Sequence, residues 1–343
     1  MTSLYIDRRD VHLELDAGAL VFRENGERIG TVPLAPLERV FIRGSATLQA
    51  SLLTQMGDNG TGVVFLSGRK GEPTLFLGRP HNDASRRVAQ TRLSLNPNFC
   101  VQTARWLIGL KLQRQQEWFS EMRQQQPRHR YPMSHALQLL KDHAAQIGTC
   151  GKLDSLRGIE GAAAVSYFAG LRALVPESWG FNERNRRPPR DPFNALLSLT
   201  YTLLIAETAI TLHNAGLDPC VGYYHQISYS RQSLACDMVE PLRPLADRFC
   251  QRLIASATLA PEHFSTTSAG CLLGKAGRAR YYAAWEEAAG DIRKTLAADI
   301  RTLALRINPD KPAPQPIQRA SAEDPLQWQD ADDEPLPAPV RTT

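Results

Sequence analysis

Four side chains with the chemistry of metal ligands fall in two short stretches of the sequence. His225, Asp237 and Glu240 lie within residues 222–244, GYYHQISYSRQSLACDMVEPLRP, and Glu160 lies upstream in LRGIEGAAAVSYF. Carboxylates with one imidazole form an oxygen-rich donor set that suits Mg²⁺ or Mn²⁺ better than Zn²⁺, because no thiolate has the right spacing. We therefore predict that these residues come from separate helices and meet at one divalent metal ion.

Each of these positions also has an ordinary structural interpretation. Glu160 alone could be a solvated helix residue, but the apolar and small residues around it leave little room for a polar face. His225 alone could be a structural histidine that follows a turn. Asp237 and Glu240 lie three residues apart on one helix face and could form local ion pairs with Arg243. The metal hypothesis depends on all four residues together.

The chemistry that such a metal would serve is phosphodiester chemistry. A metal held by carboxylates can position a phosphodiester and stabilise charge on the attacking and leaving oxygens. The sequence contains no GxSxG, Walker loop, GxGxxG after a strand or HExxH motif. No covalent protein nucleophile is therefore indicated, and a water or a substrate hydroxyl would take that role.

Basic residues form three clusters, each of which could also be a solvated face. The first cluster surrounds Pro188-Pro189, and the second precedes Tyr281-Tyr282. The third lies along the first two predicted helices. Their members are Arg184, Arg186, Arg187 and Arg190; Lys275, Arg278 and Arg280; and Arg86, Arg87, Arg92, Arg105, Lys111 and Arg114. The net charge of +5 is uneven, because the tail from residue 309 carries −4 and the body therefore +9. Basic clusters beside a carboxylate metal site favour DNA as the partner.

Composition is typical of a soluble globular protein of one or two domains. The 343 residues are 43% hydrophobic and 22% charged. The apolar run LLSLTYTLLIA is interrupted and short for a bilayer, and the N-terminus shows no signal peptide. The six cysteines form no CxxC pair, which favours reduced thiols. We expect a cytoplasmic protein that does not enter a membrane.

The fold class predicted is α+β, with a small N-terminal β-domain followed by a larger all-α catalytic domain. Residues 1–78 alternate apolar and polar residues between turns, with a hairpin at Asn25-Gly26 and a short helix at 49–59. A hinge at 79–84 leads into a helical metal-binding domain, residues 85–307. The tail, 308–343, has eight prolines and an acidic cluster and is predicted to be disordered.

Helical periodicity predicts the elements that carry the candidate ligands. Glu160 falls in a helix that ends near residue 175, and Asp237 and Glu240 fall in a single helix over 233–257. The other helices predicted are 86–95, 99–123, the segment SHALQLLKDHAAQI, 194–214 and two shorter pieces that end near 307.

Residues 1 to about 300 resemble the CRISPR-associated Cas1 family, the integrase of spacer acquisition. The resemblance is carried by LRGIEG, RRPPRDPFNALLSLTY, AGLDPCVGYYH and SLACDMVEPLRP, in this order, and by the N-terminal segments VPLAPLERVFIRG and GTGVVFLSGRKGEP. Tyr224 and Cys236 depart from the aliphatic residues common at these positions in the family. Neither departure removes a candidate ligand.

The resemblance implies specific roles and partners. It makes Glu160, His225 and Glu240 the ligands of Mg²⁺ or Mn²⁺, with Asp237 a second acidic catalytic residue. It also implies a pocket shaped by Arg187, Asp191, Asn194 and Tyr201. Family members form homodimers through the β-domain, and two dimers flank a dimer of the small Cas2 protein in a heterohexamer.

The activity implied is insertion of a short double-stranded DNA, the prespacer, into the CRISPR array. Each prespacer 3′-hydroxyl attacks a phosphodiester of the repeat, which fits a site without a protein nucleophile. Two alternatives remain. The chain could be a structure-specific nuclease that acts on branched DNA, or a non-catalytic DNA-binding scaffold. The complete set of Glu160, His225 and Glu240 argues against the scaffold.

Overall fold

The N-terminal part of the chain folds into two small sheets. The structure is a computed structural model that describes residues 3–66, 73–79, 84–186, 188–229, 231–308 and 310. The elements up to residue 79 are β1 (Ser3–Asp7), β2 (Val11–Asp16), β3 (Ala19–Glu24), β4 (Glu27–Pro33), β5 (Arg39–Arg43), β6 (Ala46–Leu48), α1 (Ala50–Asp58), β7 (Gly62–Leu66) and β8 (Pro73–Phe76). One sheet has the strand order β1-β5-β7-β8 and the other β4-β3-β2-β6.

The first sheet is buried on both faces, and the interiors of its central strands β5 and β7 are apolar. Side chains alternate between the faces of a strand, so Val40 and Ile42 of β5 enter a core shared with the second sheet and α1. Phe41, between them, enters the core of the helices. This explains why β5 reads as a continuous apolar run, as parallel strands covered on both sides do.

Helices dominate the rest of the chain. They are α2 (Ala84–Ser94), α3 (Pro97–Gln125), α4 (Arg130–Ile147), α5 (Leu153–Arg172), α6 (Pro192–Asn214), α7 (Ser233–Val239), α8 (Arg243–Ala255) and α9 (Lys275–Ile307). Single 3₁₀ turns cover Pro127–His129, Glu177–Trp179, Glu240–Leu242 and Pro261–His263. The strands β9 (Phe264–Thr267) and β10 (Gly270–Leu273) form a hairpin.

Helix α6 is the central helix of the body. Among the described residues it alone is long and apolar enough to cross a membrane, although we expected its apolar run to be too short. Within its most apolar 18-residue window, 72% of the residues are buried inside the fold. Such burial is typical of the core helix of a globular protein, where an apolar circumference is covered by neighbouring elements.

The predicted α+β class is confirmed, with strands first and a mostly helical body after them. The predicted hairpin at Asn25-Gly26 joins β3 and β4, and both turn residues have positive φ, 51° and 84°. The short helix predicted over 49–59 is α1. The domain boundaries remain predictions: residues 80–83 of the proposed hinge and nearly all of the tail lie outside the described residues.

Three departures from the predicted elements occur in the C-terminal half. The helix predicted over 233–257 is interrupted at Glu240–Leu242, because Pro241 has no N–H to continue the ladder and its ring crowds the preceding turn. The hairpin β9–β10 adds strands to a body predicted to be all-α, and the Cys271 N–H binds the Pro189 carbonyl at 2.8 Å. The two shorter helical pieces predicted between residue 257 and about residue 307 are replaced by this hairpin and the single helix α9, in which Gly290 is tolerated.

Contacts join the first sheet to the helical body directly. Tyr5 of β1 stacks between Phe41 and Tyr282 of α9, with ring centroids 4.9 and 4.6 Å apart. Gly62 is needed for close approach, because a Cβ there would lie 2.5 Å from the side chain of Ile210 in α6. The sheet therefore forms one wall of the same core that positions α6.

Candidate metal centre

Glu160 lies on α5 with both carboxylate oxygens in use. Lys111 Nζ of α3 donates to Oε1 at 2.5 Å, and the Tyr224 hydroxyl donates to Oε2. Burial, and then the neighbouring Glu160 carboxylate, raise the pKa of the Tyr224 hydroxyl far above its usual value, so it stays a donor. The side chain of Glu160 is 20% exposed, which places it at the edge of the body rather than on a solvated face.

Glu240 lies at the break between α7 and α8. The proline that ends α7 turns the chain here, so the carboxylate points towards α3. Its Oε2 accepts from Lys111 Nζ at 2.7 Å, and its Oε1 accepts from Arg243 at 2.9 Å. Burial alone would raise the pKa of Glu240, but Arg243 and Lys111 hold it well below its usual range. The carboxylate is therefore ionised at neutral pH.

Asp237 is fully buried and organises the turn that carries His225. Its Oδ2 accepts from the backbone N–H groups of Tyr223 and Tyr224 at 2.7 and 2.9 Å. Its Oδ1 accepts from the backbone N–H and the Nδ1 of His225 at 2.8 and 2.7 Å. Gly222 is required here, since a Cβ would lie 2.9 Å from Asp237 Oδ2. Both Asp237 oxygens are thus committed inside the protein.

His225 has its ring oriented by this carboxylate. A carboxylate can only accept, so Nδ1 carries a proton, and in the neutral ring the lone pair is on Nε2. The side chain is 29% exposed, and Nε2 has no hydrogen-bond partner in the part of the chain that the structure describes. A buried carboxylate that fixes the tautomer of a histidine in this way is the usual support of a metal-binding histidine. Of the two acidic residues of α7 and its following turn, Glu240 is the one placed to bind a cation.

The donor set fits a hard divalent cation. Among the described residues no three His, Cys, Asp or Glu side chains form a ready metal-binding group. The cation present is that of Lys111, which is 7% exposed, lies between Glu160 and Glu240 and joins both carboxylates. Both carboxylates nevertheless face one common cation, and His225 offers a free Nε2. Two glutamates and one imidazole are the donors that Mg²⁺ or Mn²⁺ takes.

A cavity of about 190 Å³ adjoins Glu160. Its lining combines cationic, aromatic and acidic side chains: Lys111, Gln115, Arg157, Glu160, Gly161, Ala164, Tyr167, Phe168, Arg186, Tyr201, Arg243 and Asp247. Gln115 is 2% exposed, and its Oε1 has no hydrogen-bond partner among the described residues. The cavity therefore reaches one candidate metal ligand, Glu160, and the two cationic partners of Glu240, Lys111 and Arg243.

Of the two predicted pocket residues Asn194 and Tyr201, only Tyr201 is among the residues that line this cavity. The Tyr201 hydroxyl donates to Asp247 Oδ1, and Arg243 lies over its ring at 4.4 Å from the centroid. Asn194 is fully buried, donates to Asp191 at 2.6 Å and accepts from Arg184 at 2.7 Å. Asn194 therefore fixes the 184–191 loop, while Tyr201 lines the cavity itself.

Some of the predicted DNA-binding residues have their charged groups bound inside the protein, and others expose them to solvent. Arg184 is occupied by Asn194 and by Ser198 at 3.2 Å, and Arg278 forms a two-pronged ion pair with Asp7 at 2.7 and 3.3 Å. These two guanidinium groups hold the protein together. Arg186, Arg190 and Lys275 are exposed, and Arg186 lines the cavity. Arg187 lies outside the described residues.

Three residues of the site were not identified from sequence: Lys111 and Tyr224 as partners of Glu160, and Asp247. Its sequence neighbours place Lys111 in a basic cluster on a helix. The available signal was its position among Leu107, Ile108 and Leu112, since a lysine on an apolar stripe needs a buried acid. Tyr224 had been noted only as a departure from the family pattern. Asp247 lies in α8 and showed no sequence signal.

The buried carboxyl of Asp247 should make the free energy of unfolding depend on pH. Burial raises the pKa of Asp247 to about 6, against which Tyr201, Tyr167, Arg243 and Arg184 act. Between pH 4 and pH 6 the folded protein holds a proton that the unfolded chain releases, so stability falls as pH rises through this window. Relative to Asp247→Asn, which cannot ionise, the wild type should lose on the order of 3 kcal/mol from pH 4 to pH 7.

Urea unfolding of both proteins across this pH range measures the difference. Asp291→Asn, which changes an aspartate 92% exposed on α9, is the matched control and should follow the wild-type curve. Parallel curves for the wild type and Asp247→Asn would show that Asp247 is ionised throughout.

Similar proteins were found by sequence and by structure. The family model described as "CRISPR associated protein Cas1" matches residues 4–287. The "CRISPR-associated endonuclease Cas1 1" of Thermodesulfovibrio yellowstonii is 36% identical over 314 residues, which span 91% of this chain and 98% of that protein. The solved "Casposase bound to integration product" has a TM-score of 0.76 at 19% identity, covering 91% of this chain and 92% of its own. The "Cas6-RT-Cas1--Cas2 complex" has a TM-score of 0.70 at 25% identity, covering 82% of this chain and 32% of that one.

Proposed function

Because the chain belongs to the CRISPR-associated Cas1 family, we propose that it is a metal-dependent DNA integrase and endonuclease that inserts prespacer DNA into a CRISPR array. The observation that carries the proposal is the convergence of Glu160 and Glu240 on one cation, with His225 near enough to lower the pKa of Glu240. His225 Nε2 has no hydrogen-bond partner among the described residues. The similarity to a casposase bound to its integration product supports strand transfer as the reaction class.

Glu160, His225 and Glu240 would hold Mg²⁺ or Mn²⁺. The ion would stabilise the charge that develops on the phosphodiester oxygens during strand transfer. The protein's own contribution is to fix the ligands in advance: Asp237 orients His225, Tyr224 holds Glu160, and Arg243 holds Glu240. The attacking hydroxyl would come from the 3′ end of the prespacer, so no protein nucleophile is needed.

DNA would reach this centre from the side where the cavity opens. Arg186 and Arg190 are exposed on the 184–191 loop and can contact phosphates, whereas Arg184 and Arg278 act within the protein. The similarity to a complex that contains Cas1 and Cas2 supports a Cas2 dimer as partner, with homodimers of this chain on either side. We place this assembly in the cytoplasm, where an invading DNA would be met.

The test is a joining assay with the prespacer duplex, a supercoiled array plasmid and the Cas2 partner, in Mg²⁺, in Mn²⁺ and in EDTA. We expect the duplex to join the plasmid in either metal, and joining to stop in EDTA or when the duplex ends in 3′-dideoxynucleotides. Each alternative function has a different outcome. Cleavage of branched DNA without joining would indicate a nuclease, and DNA binding without any product would indicate a scaffold.

A further inference from the structure

Lys111 binds one oxygen of each of the two candidate glutamate ligands. The other oxygens of the glutamate pair are already in use, since Tyr224 donates to Glu160 Oε2 and Arg243 donates to Glu240 Oε1. The remaining atoms, Glu160 Oε1 and Glu240 Oε2, both accept from Lys111 Nζ, at 2.5 and 2.7 Å. A buried ammonium group therefore takes the part of a cation between two carboxylates.

A divalent ion bound at these oxygens would lie close to the ammonium group, so the two cations compete for the glutamate pair. At such distances, inside a body where water screens poorly, two cations repel strongly. Metal binding to Glu160 and Glu240 therefore requires the ammonium group of Lys111 to move away. The movement needs both space and a new hydrogen-bond acceptor, because a buried ammonium without partners is unfavourable.

The cavity beside Glu160 supplies both the space and the acceptor. Lys111 itself lines this cavity of about 190 Å³. Gln115 lies one helical turn further along α3, on the same face, and its buried Oε1 has no partner among the residues that the structure describes. An unpartnered carbonyl oxygen inside the body, one turn from a lysine, is a suitable second acceptor for that lysine.

We propose that Lys111 is a resident cation that competes with the divalent metal and moves towards Gln115 when the metal binds. The inference depends on the proposed function in one respect, namely that Glu160 and Glu240 hold the metal. It adds a two-position side chain that sets metal affinity: the ion pair with the glutamates favours the position between them, and Gln115 favours the position in the cavity.

The experiment measures Mn²⁺ binding to the full chain by electron paramagnetic resonance of the free ion. Lys111→Met removes the competitor and keeps the length of the side chain, so the dissociation constant for Mn²⁺ should fall at least tenfold. Lys141→Met removes an equal charge from the exposed surface of α4 and should leave it unchanged. Equal or weaker binding by Lys111→Met would overturn the proposal. Thermal melts establish that each variant is folded.

A second variant separates displacement from simple charge repulsion. Gln115→Leu alters no charge but removes the acceptor in the cavity, so Lys111 should stay with the glutamates and Mn²⁺ binding should weaken about threefold. In the Lys111→Met background the same change should have no effect, because the coupling between the two residues is gone. An effect of Gln115→Leu that is equal in both backgrounds, or absent in both, would overturn the proposal.

Glu160→Gln distinguishes this proposal from the proposed function. If Glu160→Gln loses Mn²⁺ while Lys111→Met and Gln115→Leu bind it as the wild type does, the metal centre stands and only the competition fails. If Glu160→Gln binds Mn²⁺ like the wild type, the metal assignment fails, and the competition fails with it.

Discussion

Glu160→Gln is expected to abolish the joining of prespacer DNA while leaving the fold in place. Glutamine keeps the shape of the side chain and can still accept from Tyr224, but it lacks the charge that a divalent ion requires. The joining rate should fall more than ~100-fold, the upper end of the loss found when even an outer partner of a metal ligand is changed. His225→Ala should have the same effect, because it removes the free Nε2.

Joining of labelled prespacer to a supercoiled array plasmid measures this effect. The matched control is Glu117→Gln, which alters an exposed glutamate on α3 outside the site and should join at the wild-type rate. If its Oε1 accepts from Tyr224, the glutamine places its NH₂ group against Lys111, which keeps only Glu240 as partner, so the stability of Glu160→Gln should fall by about 2 kcal/mol. A folded Glu160→Gln that joins DNA normally would refute the role of Glu160 as a ligand.

Asp237→Asn is expected to have the largest effect on stability. The two oxygens of Asp237 accept four hydrogen bonds, three of them from consecutive backbone N–H groups. Asparagine must place its NH₂ group against one of these two pairs of donors, so two hydrogen bonds to a buried carboxylate are lost. We expect a loss of about 3 kcal/mol in the free energy of unfolding, together with loss of DNA joining as His225 loses its orientation.

Urea unfolding monitored by circular dichroism measures the loss for Asp237→Asn. Asp218→Asn is a demanding control, because Asp218 also accepts from a backbone N–H, that of Cys220, at 2.8 Å in the same loop. Among the described residues the Asp218 carboxylate accepts from this one backbone N–H, against three for Asp237, so its replacement should cost about 1 kcal/mol and preserve joining. If the two variants proved equally stable, the turn at His225 would not depend on Asp237.

Local patterns predicted the elements whose cause is local. Asn25-Gly26 specifies a hairpin because both residues adopt positive φ readily, and α6 is specified by its apolar composition. The hairpin β9–β10 was missed because its position depends on Pro188 and Pro189, some 80 residues earlier in the chain. The break at Glu240 was within reach of the sequence, since Pro241 stands in the middle of the predicted helix.

The candidate site shows the same difference between features with a local cause and features that depend on distant residues. The residue types of Glu160, His225 and Glu240 indicated a metal, and the resemblance to a family gave them their roles. The partners that orient these ligands could not be predicted from the sequence, because Lys111 is 49 residues from Glu160 and 129 residues from Glu240. Asp237 illustrates the limit of spacing rules: three residues before Glu240 it shares a helix face in principle, yet burial and four donors give it a different role.

The stack of Tyr282, Tyr5 and Phe41 joins the first strand of the chain to its last helix. Three rings in one stack cannot be resized independently, because neighbours in contact have non-additive effects on stability. The beginning and the end of the described chain should therefore vary in concert among descendants of this protein. A smaller residue at Tyr5 would be tolerated where Phe41 or Tyr282 had already become larger, and a larger residue where one of them had become smaller.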